Sequence, residues 1–188
     1  AQGKMLLLGV LFFPLIAAVL VYLAGNRYAG KVALALSVVE LAASALLLNS
    51  YNKADAANIS FLAPWIDNPH ISFHIAADGL SLLMVLLTTF LVPVIILSNI
   101  SKQVDNERSL YSLVLLMQFA LIGVFVSMDA FLFYIFWELA LIPIYFIALL
   151  WGEGQDKPFR TRAIFKFFVY TLAGSLFMLL AFIYLYQY

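Results

Sequence analysis

Cysteine is absent from this chain, and charge is nearly so: charged residues make up 11% of it, ten basic against ten acidic, for a formal net charge of zero. Without cysteine there can be no disulfide, no thiolate nucleophile and no Cys-ligated iron–sulfur or zinc site. A chain with no excess of basic charge lacks the electrostatic footprint of a nucleic-acid binder. Histidine is scarce too, at two residues. Both, His70 and His74, fall in a polar connector, so no apolar run offers an axial ligand for haem. Four residues apart on an expected strand, they share a face without making a convincing metal site. Phosphate-binding glycine loops, nucleophile–base pairs and hydrolase-type carboxylate pairs are also missing. The sequence therefore predicts no cofactor in this chain.

What fills the chain is apolar: 65% of its 188 residues are hydrophobic, with a mean hydropathy of +1.04. A soluble domain needs far more polar surface. A helix crosses a ~30 Å hydrocarbon core with roughly 20 apolar residues. Six runs meet that length: Met5–Ala24, Lys31–Asn49, Gly79–Asn99, Ser109–Met128, Ala130–Leu150 and Ala163–Tyr186. The expected fold is all-α and integral to the membrane, a single transmembrane domain of six helices whose neighbours run antiparallel across short connectors. Tyr22, Tyr28, Tyr51, Tyr111, Trp151 and Tyr186 fall where an interfacial aromatic belt would lie.

Charge asymmetry orients the bundle. Arg27, Lys31, Lys102, Arg108, Lys157, Arg160 and Arg162 cluster after the first, third and fifth spans, against Lys4 and Lys53 on the other side. The positive-inside rule then puts the N-terminus outside the cytoplasm. On that outer side, connector 50–78 carries a strand period, with Ile71, Phe73 and Ile75 alternating with Ser72, His74 and Ala76. Asp67-Asn68-Pro69 is turn chemistry. The pattern predicts a small hairpin on the membrane surface, with Trp65 at headgroup level; an irregular loop is the alternative.

Against this apolar background the ionisable residues stand out. Glu138 lies about 12 Å along the fifth span from its outer end. Its insertion costs about 2.5–3.5 kcal/mol, against about −4 to −8 kcal/mol from the thirteen Leu, Ile and Phe around it, so the span still inserts. Glu138 must then face protein or water rather than lipid, as residues of ion and proton paths do. Burial favours the neutral acid and a nearby cation the carboxylate, so a carboxyl poised between them can exchange protons. The plainer alternative is a packed, permanently protonated acid. Pro143, one turn further on, leaves the Leu139 carbonyl without its helical donor, a place for water or a side chain. Pro14 and Pro93 do the same in the first and third spans.

Lys166 sits early in the sixth span, roughly 6 Å from its cytoplasmic end and too far from Glu138 for a direct pair. It either snorkels to the headgroups or lines a watered path. Glu40 in the second span is flanked by Ser37 and Ser44 on its own face and is expected to hydrogen-bond across a close helix contact. Gln118 reads as packing, Gly123 and Gly174 as points of close helix approach, and Asp78, Asp105 and Asp129 lie at helix edges, the first and last as candidate caps.

Asp78-Gly-Leu-Ser-Leu-Leu-Met84, Phe131-Leu-Phe-Tyr-Ile-Phe-Trp-Glu-Leu-Ala-Leu-Ile-Pro-Ile-Tyr145 and Lys166-Phe-Phe-Val-Tyr-Thr171 resemble the antiporter-like membrane subunits of respiratory complex I, and most of all their M-type branch. The resemblance runs from about Pro64-Trp65 to Gly174; the first two spans match in hydropathy only. It implies a subunit of an NADH:quinone oxidoreductase that carries no redox centre itself and moves protons in a bacterial inner membrane. Glu138 would be the fifth-helix glutamate of the proton channel, Lys166 a basic residue near it, and the outer hairpin a contact with other membrane-arm subunits. Nothing in the family's motifs covers Glu40. Such subunits have about fourteen helices in two inverted repeats, so the chain is expected to be the N-terminal part of a longer protein, with the cationic partner of Glu138 on a later helix. Two other readings share these features: a subunit of a multi-protein sodium/proton antiporter, and a structural subunit whose buried charges only fix helix register.

Overall fold

In the computed structural model, residues 2–53, 60–66, 71–76, 79–100, 107–127, 130–151 and 157–187 are described. The elements run α1 (Gln2–Ala24), α2 (Ala29–Lys53), β1 (Ser60–Ile66), β2 (Ile71–Ala76), α3 (Gly79–Ile100), α4 (Glu107–Val126), α5 (Ala130–Trp151) and α6 (Lys157–Gln187). All six helices are long and apolar enough to cross a membrane. The fold is thus the expected all-α multi-pass membrane bundle with a two-stranded hairpin attached.

Helix starts explain where the structure departs from the sequence reading. α6 begins at Lys157, six residues before the expected Ala163. Pro158 is its second residue, where the missing N–H has no helical partner to lose and the fixed φ suits a first turn. α4 opens at Glu107, an acidic group well placed against the helix's positive N-terminal dipole. The α1–α2 turn passes through Gly25 at φ +84°, which only a residue without Cβ adopts easily. The candidate caps Asp78 and Asp129, together with Asp105 and His70, lie outside the described residues.

α4 is the axis of the bundle, buried over 56% of its span, and packs on α1, α2, α3 and α5. Two apolar clusters fill the interior. One holds Leu7, Leu11, Leu47, Leu82, Val85, Phe119, Ile122, Leu132 and Phe136 toward the hairpin end. The other holds Ala17, Val21, Ala33, Val92, Ile96, Leu110, Tyr111 and Leu115 toward the opposite end. Tyr111, expected in the interfacial belt, is instead a core residue with 1% of its surface exposed, because it points along the inward face of α4. Tyr22 and Tyr28 are exposed as expected and carry cations over their rings, Arg108 at 4.6 Å and Arg27 at 5.3 Å. The side chains of Tyr51, Trp65, Trp151 and Tyr186 lie outside the described set.

β1 and β2 pair antiparallel from Ser60↔Ala76 to Ile66↔Ile71, with a register irregularity between Pro64 and Ile66. Proline has no ladder donor, so a break in pairing belongs beside it. The hairpin also packs into the bundle. Ile75 is fully buried in the apolar cluster at the hairpin end of the bundle, and its backbone bridges to Ser127 just after α4.

α6 stands apart. Only 6% of its span is buried, and it packs on α5. Leu176, Phe177, Leu180, Tyr184 and Leu185 are all exposed on it.

Candidate functional site

Glu138 is the ninth residue of α5, so it sits well inside the membrane-spanning length. It lines a cavity of ≈ 240 Å³ between α5 and α6, with Leu141, Ile142 and Tyr145 from its own helix and Phe167, Phe168, Thr171 and Leu172 from the other. Such a volume holds several waters. The walls are mostly apolar, and among the lining residues Glu138 is the one with an ionisable carboxyl. Glu138 is half-buried, and its Oε1 is buried without a hydrogen-bond partner.

Local helix geometry supplies the neighbours. Tyr134 lies four residues before Glu138, hence on the same face one turn away, and its phenol hydrogen-bonds the carboxyl. Thr171 spends its hydroxyl on the Phe167 carbonyl at 2.8 Å, leaving its oxygen to accept at the cavity wall. Tyr145 and Phe168 close the cavity, their rings 4.5 Å apart between centroids. On the adjoining face, Trp137 Nε1 donates to the buried Ser175 Oγ at 3.3 Å and ties α6 to α5. Pro143 lies within α5, one turn past Leu139, as the sequence reading placed it.

Lys166 is exposed on α6 and does not line the Glu138 cavity. It is five residues before Thr171, roughly 7.5 Å along the helix. The structure therefore does not bring the two candidate site residues into contact. Sequence reasoning missed Tyr134, although its i−4 spacing from Glu138 was a usable signal. It could not have found Ser175, because a Trp–Ser contact across two helices leaves no periodic trace.

Glu40 departs from expectation differently. It is 1% exposed, yet neither carboxylate oxygen has a hydrogen-bond partner. The cross-helix bond expected of it is made instead by its neighbour, Ser44 to Thr89 Oγ1 of α3 at 2.8 Å. Gly123 is a close approach, since a Cβ there would run into the Phe136 ring, whereas around Gly174 there is open space.

Comparison with known proteins adds the family. The profile of the family described as NADH:quinone oxidoreductase/Mrp antiporter, transmembrane, matches residues 127–188. F(420)H(2) dehydrogenase subunit M of Methanosarcina mazei is 38% identical over 144 residues, 74% of this chain and 28% of that protein. NADH-quinone oxidoreductase subunit M of Escherichia coli K12 is 41% identical over 142 residues, 72% of this chain and 28% of that protein. Among solved structures, respiratory complex I from Thermus thermophilus with bound NADH contains a chain that matches with a TM-score of 0.74 and 29% identity, over 93% of this chain and 34% of that one. The chain thus spans under a third of the length of these two curated relatives. With the fifth-helix glutamate inside the matched segment, the chain belongs to the antiporter-like transmembrane family shared by NADH:quinone oxidoreductases and Mrp antiporters.

Proposed function

We propose that this chain works as part of a proton-translocating membrane subunit of an NADH:quinone oxidoreductase, with Glu138 as its proton relay. The observation that carries this reading is the carboxyl of Glu138, mid-membrane, with a buried unpartnered oxygen on a cavity large enough for water. An ionisable group so placed serves an ion or proton path when water reaches it. Tyr134 steadies the carboxyl, and the unpartnered Oε1 retains the capacity to hold a proton exchanged with water entering the cavity. Lys166 enters as a basic group nearer the end of α6, reached through water rather than by direct pairing, where it attracts negative charge and sets the local potential. Electron transfer belongs to other subunits of the complex; this chain has no cysteine or intramembrane histidine with which to bind a redox centre.

The same reading sets the chain in a bacterial inner membrane with its N-terminus on the extracytoplasmic side, supported by the distribution of Lys and Arg. Its partners are neighbouring membrane-arm subunits, for which the exposed apolar surface of α6 and the outer hairpin are available. A second reading, a subunit of a sodium/proton antiporter, is favoured by one observation: the family's description embraces both kinds of complex.

Inverted membrane vesicles containing the complete complex separate the two. NADH addition is expected to acidify the vesicle interior, with the gradient collapsed by a protonophore and lost when this subunit is deleted. Sodium-driven proton exchange without any link to NADH oxidation would contradict the proposal and support the antiporter.

A further inference from the structure

A second set of buried polar atoms lies away from the α5–α6 cavity, among α2, α3 and α4. Glu40 is the twelfth residue of α2 and Gln118 the twelfth of α4, two helices that run in the same direction from the same end of the bundle. Thr89 is the eleventh of the 22 residues of α3. Each falls at the boundary between the two apolar clusters: Glu40 between Ala33 and Leu47, Thr89 between Val85 and Val92, Gln118 between Leu115 and Phe119. They therefore share one depth near the membrane middle, and α2 packs on both α3 and α4.

Their hydrogen bonding is incomplete. Both oxygens of Glu40 and both amide atoms of Gln118 are buried without a partner, at 1% and 0% exposure. Buried polar groups are satisfied by protein or by ordered water in the great majority of cases, so four such atoms at one level point to internal water. Among the described residues of these helices, the further unpartnered polar atom lies to one side. Toward the hairpin, Ser44 and Thr89 satisfy each other, and beyond them stand Leu47, Leu82 and Ile75. Toward the other end come Ser37, which caps the Leu34 carbonyl at 2.8 Å, and Tyr111, whose buried hydroxyl also lacks a partner. That end carries Arg27, Lys31 and Arg108.

Among the described residues, no counter-charge lies at the Glu40 level. α3 has no ionisable residue, and those of α1 and α4 are near helix ends: Lys4 and Tyr22 on α1, Glu107, Arg108 and Tyr111 on α4. α2 itself adds Lys31 near its start and Tyr51 and Lys53 at its far end. A lone carboxylate in such surroundings is strongly disfavoured, and a neutral acid hydrogen-bonded to water removes most of that penalty.

We propose that Glu40, with Gln118 at the same depth, forms a second intramembrane protonatable site, which holds a proton as a neutral carboxylic acid and exchanges it through internal water with the basic end of α2 and α4. In the exchange a carboxylate oxygen takes a proton from a hydronium ion, forming one O–H bond and releasing water; no electrons move. Gln118 contributes as a positioning residue, its amide fixing the water that bonds the acid. The site stands whether or not Glu138 is a relay.

Infrared spectra of the complete complex in membranes, taken in H2O and D2O, test this. Against Glu40→Gln, the unmodified protein is expected to show one additional carboxylic-acid C=O band. That band moves in Glu40→Asp, persists in Glu138→Gln and shifts on transfer to D2O. In Gln118→Leu it moves to higher frequency, because a hydrogen bond to the acid is lost. Three results would overturn the proposal: no difference between the unmodified protein and Glu40→Gln, a band that stays unshifted in D2O, or a carboxylate band that responds to sodium. An unmoved band in Gln118→Leu would remove Gln118 from the site. Should Glu40→Gln fail to assemble, the displacement in Glu40→Asp identifies the band.

Discussion

At Gly123 the absence of a side chain is a packing requirement, because the Phe136 ring of α5 occupies the space a Cβ would need. Phe136 also meets Phe119 edge-on, with centroids 5.5 Å apart, so it cannot retreat without disturbing α4 a turn away. Gly123→Ala is expected to destabilise the α4–α5 contact by about 1–3 kcal/mol through overpacking. Thermal unfolding of the purified complex checks this, and Phe136→Leu in the same chain should recover part of the loss. Trp137 offers a gentler test. Trp137→Phe removes the donor to Ser175 and should loosen α6 by about 0.6 kcal/mol, the usual scale for hydrogen bonds between membrane helices. Faster proteolysis at the α6 end would report it. Sequence reading found Glu138 and Glu40 because one carboxyl in an apolar run is conspicuous. It missed Tyr134, which its i−4 spacing makes available, and it could not show Gln118 facing the interior unpaired, because that depends on how α4 is rotated.

Among the elements, the hairpin and α6 behave in opposite ways. The hairpin's alternating Ile71, Phe73 and Ile75 were legible as a strand, and the two strands do pair. Its seat was not legible, since alternation says which residues share a face and nothing about what that face meets. Ile75 enters the apolar cluster at the hairpin end, with Leu82 and Leu132. Ile75→Ala should cost about 2–5 kcal/mol, as for other buried aliphatic truncations. It is expected to lower the thermal midpoint of the complex while leaving the helix content measured by circular dichroism unchanged. α6 was legible as a span, but its start was misjudged by six residues because the charged run through Lys157, Arg160 and Arg162 reads as a connector until Pro158 is recognised as a first-turn residue. With so little of its own surface covered, α6 depends on Trp137–Ser175 and Tyr145–Phe168 for its place.

For the molecule as a whole, hydropathy alone settled the number of spans and the class of fold, because in lipid only helices or closed barrels satisfy the backbone. The orientation proposed from the distribution of Lys and Arg is open to a direct check. The chain has no cysteine, so a single introduced one is unique in it. Asn26→Cys, in the exposed α1–α2 turn, should react with a membrane-impermeant maleimide in inverted vesicles and stay unlabelled in intact right-side-out ones. The reverse pattern would turn the bundle over.

The central claim is that the Glu138 carboxyl passes a proton, and Glu138→Gln in the full subunit of the assembled complex tests it most directly. Gln keeps the volume and a hydrogen bond for Tyr134 but cannot ionise. With assembly verified, NADH oxidation and NADH-driven acidification of inverted vesicles should both fall by about 10-fold or more, equivalent to at least about 1.4 kcal/mol on the limiting step. Unchanged rates of both would mean that the carboxyl only packs the α5–α6 contact, and the proton-relay account would be wrong.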